Sequence, residues 1–229
     1  MASQAERRPE RAPREGSPPA SRLIADRAYF ELRDRIVTLR LPPGAVLRED
    51  DLMRELDIGR TPLREAIKRL ALEKLVAIQP RRGTRVTDVD VDDIAQVTEV
   101  RAELEGQAAQ LAAARMDDDA RGAASRLVAE LETIDVASSD ALIRVDERVH
   151  RLTWEAAGNR YLAETLEGYF ALSLRVWYLV LDRVELSAPV HGQVDFLQAL
   201  LAGDGERARH LMREHVLAFE REIVAALGS

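Results

Sequence analysis

The residues best suited to chemistry in this 229-residue chain are four histidines, His150, His191, His210 and His215, all in its C-terminal half. Asp146 stands four residues before His150. On a helix the two share a face and can chelate a divalent cation. Arg101 and Glu105 have the same spacing and also share a face. A second chemistry lies nearer the N-terminus, where Arg60-Thr61-Pro62-Leu63-Arg64 reads as the start of a helix. Free backbone N–H groups and the helix dipole hold phosphate at such an end, while a long arginine reaches guanine O6 and N7. Arg81-Arg82-Gly83 adds cations beside a glycine that lets the backbone approach closely, which suits an adjacent minor groove. Arg175 is a charge inside the apolar run SLRVWYLVL and, if buried, needs a partner or an anionic ligand.

These residues must be positioned by helices. Leu23, Tyr29, Phe30, Leu32, Ile36 and Leu39 recur at helical spacing, and Pro42-Pro43-Gly44 stops that first helix. Residues 49–56 form a short second helix. Thr61 is expected to cap a third, with Pro62 at its first position and Leu63, Ile67, Leu70 and Ala71 on one face. Leu75 to Pro80 and Thr84 to Thr87 are short β-prone runs, hence a two-stranded wing. Beyond Val91 the pattern is helical throughout, with expected helices at 91–115, 117–136, 139–157, 159–184, 189–202 and 204–227. The expected fold is therefore mainly α. A winged helix-turn-helix of three helices and a small wing occupies 21–88, and an all-α bundle of six to seven helices occupies 89–229. Residues 1–20, rich in Arg, Glu and Pro, read as a disordered tail.

Composition narrows the function. The chain has no cysteine, which excludes disulfides and thiolate metal sites. No apolar run approaches the roughly 18 residues that cross a bilayer, and the N-terminus lacks the apolar core of a signal peptide, so a soluble cytoplasmic protein is expected. The net charge of −7 argues against nucleic acid until the chain is divided. Residues 21–88 carry 15 Lys and Arg against 11 Asp and Glu, whereas residues 89–229 carry 14 against 26. One part can meet a polyanion while the other does something else. Trp154, Trp177, Tyr161, Tyr169, Phe170 and Tyr178 stand among aliphatic neighbours and read mostly as core.

Residues 36–86 resemble, without a gap, the N-terminal domain of the GntR family of bacterial repressors. The shared marks are Pro43-Gly44, Arg60-Thr61-Pro62-Leu63-Arg64-Glu65-Ala66, Arg69-Leu70, Pro80 and Gly83-Thr84-Arg85-Val86. Gly59 departs from the family, which usually has a small hydroxyl residue there as the helix cap. VRAELEGQAAQLAAARM, DERVHRLTWEAAGNRYL and ALLAGDGERARHLMREHV resemble landmarks of the FadR-type effector domain, known as FCD. The resemblance implies effector-site roles for Arg101, Glu105 and Asn159, metal ligation by Asp146, His150 and His215, and a carboxylate effector received by metal and arginine together. It further implies binding to a short palindromic DNA duplex as a homodimer.

The third histidine of that pattern falls, by a gapless count, on Gln193, with His191 two residues earlier and so nearly opposite on a helix. Either His191 swings in, or Gln193 replaces it as a weaker ligand or hydrogen-bond donor, or the pocket binds its ligand without metal. Zinc, nickel or manganese would suit these donors, and no organic cofactor is implied.

The expected function is a ligand-responsive DNA-binding regulator. A helical interaction protein with a degenerate winged helix is the alternative, opposed by the intact run from Arg60 to Arg64. Asp/His/His is also an enzyme's metal set, but nothing supplies an evident general base.

Overall fold

The computed structural model describes residues 20–89, 92–135, 138–181 and 187–227, and within these all side chains except those at 20–22, 92, 140, 187–191 and 226–227. The tail expected over 1–20 lies outside them, apart from the backbone of its last residue. Nine helices and one small sheet are present among the described residues.

The N-terminal part is built on α1 (Ala20–Val37), which buries Ala25, Ala28, Tyr29, Leu32 and Ile36 along one stripe. Leu23 and Phe30, expected to join it, are exposed. Helix α2 (Glu49–Leu56) ends at Asp57, a left-handed residue. Helix α3 (Arg60–Leu72) packs Leu63, Ala66, Ile67 and Leu70 against α1. Its N-cap is Gly59, with no side-chain cap, so Thr61 is not the capping residue the sequence suggested. Arg60, Thr61 and Pro62 all lie in the first turn. Proline fits there because first-turn N–H groups have no intrahelical partner.

The expected two-stranded wing is present and belongs to a sheet of three strands. β2 (Val76–Gln79) and β3 (Gly83–Val86) form the wing hairpin, and β1 (Val46–Leu47) pairs antiparallel with the other edge of β3. A two-residue strand carries no readable alternation, which is why pattern alone misses it. Arg81 and Gly83 both take positive φ to turn the hairpin.

The C-terminal part is a bundle of α4 (Asp92–Arg115), α5 (Asp118–Leu131), α6 (Ser139–Ala156), α7 (Arg160–Val180), α8 (Ser187–Leu201) and α9 (Gly205–Leu227). α5 ends five residues before the expected position, and α8 starts two residues earlier, with Pro189 inside its first turn. α4 and α9 lie side by side along their length. Ala102, Ala109, Ala112 and Ala113 are buried on α4, and a Cβ on Gly106 would come within 2.8 Å of Arg213 Cγ on α9. Small residues let the two backbones close, which brings Arg101 and Glu105 of α4 toward His215 of α9. No helix among the described residues is long and apolar enough to cross a membrane.

Candidate functional site

α6 supplies Asp146 and His150 from consecutive turns, α9 supplies His215, and α8 supplies Gln193. His150 Nε2 lies 3.3 Å from His215 Nε2. Asp146 Oδ1 is 3.0 Å from His215 Nε2 and 3.7 Å from His150 Nε2. Gln193, 2% exposed, donates its amide N–H to the same Asp146 oxygen. Its Oε1 and His215 Nδ1 are buried without a hydrogen-bond partner. This cluster of ligand atoms fits a cation. Metal bonds of about 2.05 Å at tetrahedral angles put neighbouring ligand atoms about 3.3 Å apart, in the middle of the observed range. Two imidazole nitrogens facing each other beside a carboxylate also match the donor set that zinc, nickel or manganese prefers.

Behind the cluster, α4 contributes a fully buried carboxylate. One oxygen of Glu105 lies 3.1 Å from His150 Nδ1 and 3.0 Å from Arg101 Nη2, and the other accepts from Trp154 Nε1 at 2.7 Å. A carboxylate on the far nitrogen of a ligating histidine fixes the ring's orientation and raises its basicity. Burial pushes the Glu105 carboxyl up, but His150, Arg101 and the Trp154 N–H outweigh that and hold it down at about 2. Burial also raises Asp146, yet the charge of His150, the hydrogen bond from His215 and Arg101 together bring it below the ordinary carboxylate range. Both acids are therefore anionic at neutral pH.

Arg101, Asp146, His150 and His215 face a small cavity walled by Phe170, Leu174, Trp177 and Phe219. Its volume of about 10 Å³ is roughly that of one water. Phe170 packs on the His150 ring and under the Arg101 guanidinium. Phe170 and Trp177, read as core from sequence, are also walls of the site. The stripe Asp146-His150-Trp154, at successive steps of four, is the signal that could have placed Trp154 beside His150.

Not every expected residue joins. Glu105 sits behind the cavity and does not line it. Asn159 is the exposed N-cap of α7, accepting from Tyr161 N and Leu162 N. Arg175 points away, donating to the side chain and carbonyl of Thr87. Its burial, which lowers its pKa, is only partly offset by Asp88. The His191 side chain lies outside the described residues. His210 is exposed.

The other constellation is open to solvent. Arg60 and Arg64 project from the first turns of α3, and Thr61, Arg81, Arg82 and Gly83 are exposed. Arg64 Nε reaches both oxygens of Glu49, at 3.0 and 3.2 Å, and Arg60 reaches Asp50 at 3.2 Å. Arg69 is not part of this surface. It pairs with Asp26 and lies over the Tyr29 ring.

Residues 24–86 match the family model for bacterial regulatory proteins of the gntR family, and residues 96–218 match the FCD domain. The chain belongs to the GntR family, FCD class. The HTH-type transcriptional repressor GlaR of Escherichia coli K12 is 32% identical over 200 residues, covering 82% of this chain and 90% of its own. The repressor RspR of the same organism is 26% identical over 195 residues, covering 84% and 86%. Among solved structures, E. coli McbR/YncC superposes with a TM-score of 0.75 at 20% identity, over 90% of this chain and 97% of that one. This GntR protein is accordingly a transcriptional regulator and not an enzyme. DNA is its macromolecular partner. Its helical domain presents an Asp/His/His group able to hold a metal ion.

Proposed function

We propose that this GntR regulator is a homodimeric, ligand-responsive repressor. Residues 21–88 read a short palindromic duplex, and residues 89–229 sense a small organic acid. Arg64 and Arg60 reach base edges in the major groove, Thr61 contacts phosphate, and Arg81, Arg82 and Gly83 enter the adjacent minor groove. One such helix covers only a few base pairs, so a palindrome read by two copies is the geometry that gives enough contacts. Binding to operator DNA places the working protein in the cytoplasm.

The observation that carries the sensor reading is the convergence of Asp146, His150 and His215 beneath a buried Arg101. Asp146, His150 and His215 hold a divalent cation such as zinc, nickel or manganese. A bound cation would supply positive charge for an effector carboxylate. Arg101 provides the second positive group, Glu105 keeps both Arg101 and His150 aimed, and the aromatic walls exclude water. Gln193 takes the place beside Asp146 where the family pattern has a third histidine. An amide is a weaker ligand than an imidazole for transition metals, so this regulator should lose its metal to a chelator readily.

Metal content of untagged protein, measured by mass spectrometry after incubation with zinc and with graded chelator, tests this. Near one ion per chain is expected in the wild type, near none in His150→Ala, and tighter retention in Gln193→His. Loss of metal in His191→Ala with no gain in Gln193→His would instead make His191 the fourth ligand. A wild type that takes up no zinc, nickel or manganese would leave Arg101 to bind the acid directly.

A further inference from the structure

The cavity at the sensor cluster is too small for any organic acid, so an occupant must move a wall. Phe170, Leu174 and Trp177 all belong to α7. That same helix touches α1 of the reader. Glu167, one turn before Phe170, accepts from Arg33 of α1 at 2.7 Å through a carboxylate oxygen, and its backbone carbonyl accepts from the same guanidinium at 3.0 Å. The identical carboxylate oxygen also takes Arg151 at 2.8 Å. Arg151 follows the cluster's His150 on α6 and is paired with Glu147 at 2.9 Å.

On the reader side, Arg33 is 5% exposed and faces Glu73, the residue that ends α3. Tyr29 OH donates to the other oxygen of Glu73 at 2.6 Å. Between Arg33 Nε and Glu73 Oε2 the separation is 3.7 Å, and both atoms are buried without a hydrogen-bond partner. A hydrogen bond there requires an approach of only about 0.8 Å, to the usual 2.9 Å. A shift of that size decides whether these two buried atoms are bonded or apart.

From this we infer that the chain Arg151–Glu167–Arg33–Glu73 is the route by which occupancy of the sensor cluster reaches the DNA-reading helix. Glu167 is its shared node. A cation that draws in His150 moves its neighbour Arg151, a larger occupant displaces Phe170, and either shift moves Glu167. Glu167 carries Arg33, and Arg33 makes or breaks its bond with the end of α3. Arg175, about two turns beyond Glu167 on α7, gives the helix a second hold on the reader through Thr87. The inference rests on the proposed sensor site, and the experiment separates the two.

A duplex is first selected from a random pool by the wild-type protein. Its affinity is then measured by fluorescence anisotropy with and without zinc, for the wild type, Glu167→Gln and Arg33→Lys, and zinc affinity is measured in parallel. The expected result is a wild-type shift of about 5- to 150-fold, the ordinary range of coupling between sites. Glu167→Gln should keep the zinc affinity and shrink that shift to less than about twofold on the same scale, with Arg33→Lys between them because it retains the charge. A full shift in Glu167→Gln overturns the route. If the wild type binds no zinc, the metal reading fails, and His150→Ala replaces zinc as the perturbation. Its effect on DNA affinity should then vanish in the Glu167→Gln background. Additive effects, or no effect of His150→Ala in either background, overturn the route.

Discussion

The reader and the sensor both depend on arginine–carboxylate pairs, but in opposite surroundings. Arg64 and Glu49 are 58% and 29% exposed, whereas Arg101 and Glu105 are 2% and 0% exposed. A pair in water gains little from its partner and is screened by salt, so Arg64 can leave Glu49 for a guanine at small cost. A buried pair has no such freedom, because a charge left alone in the interior is strongly unfavourable. The proposed reader surface is free to exchange partners. The proposed sensor site holds its own pair, Arg101 with Glu105, out of reach of water.

The sharpest way to break this contrast is to remove the buried acid. Glu105→Ala leaves Arg101 and the Trp154 N–H without a partner and should lower stability by about 3–5 kcal/mol, measured by urea unfolding. A loss below 1 kcal/mol would mean that water already reaches Arg101.

Next in size is the DNA contact. Arg64→Ala should cost about 1–3 kcal/mol of binding to a selected duplex and relax preference at one base pair in each half-site. Arg82→Ala should weaken selected and random duplexes alike. Equal losses on both duplexes in Arg64→Ala would remove its base-reading role.

The smallest effect belongs to the exposed acid. Glu49→Gln should change stability by less than about 1 kcal/mol, in contrast to Glu105→Ala. It frees Arg64 from a competing anion, so binding to random DNA should tighten and the tightening should fade with salt. Unchanged binding at low salt would show that Glu49 does not compete with DNA.

Local features were the legible ones. The short α2 was placed at 49–56, as found, because its charges, apolar stripe and flanking turns are all local. α3 is capped two residues before the position that Thr61-Pro62 suggests, because Gly59 caps through backbone conformation alone. Asp146 with His150 was visible as an i,i+4 pair, since both sit on one helix. What sequence could not show were partners brought in from afar. Arg175 was recognised as needing one, but Thr87 lies 88 residues away across the boundary between the two parts. The family resemblance implies an effector contact for Asn159, yet its side-chain oxygen accepts from the N–H groups of its own helix. Glu105 was grouped with the effector contacts. Only the fold reveals that it is shared among Arg101, His150 and Trp154, the last of them 49 residues distant.

The measurement closest to the central claim is anomalous diffraction from crystals of the untagged protein grown with zinc, recorded on both sides of the zinc edge. The account predicts one peak in each chain, enclosed by Asp146, His150 and His215 with Arg101 and Gln193 at its border. No peak there, or a peak held by other side chains, would contradict it.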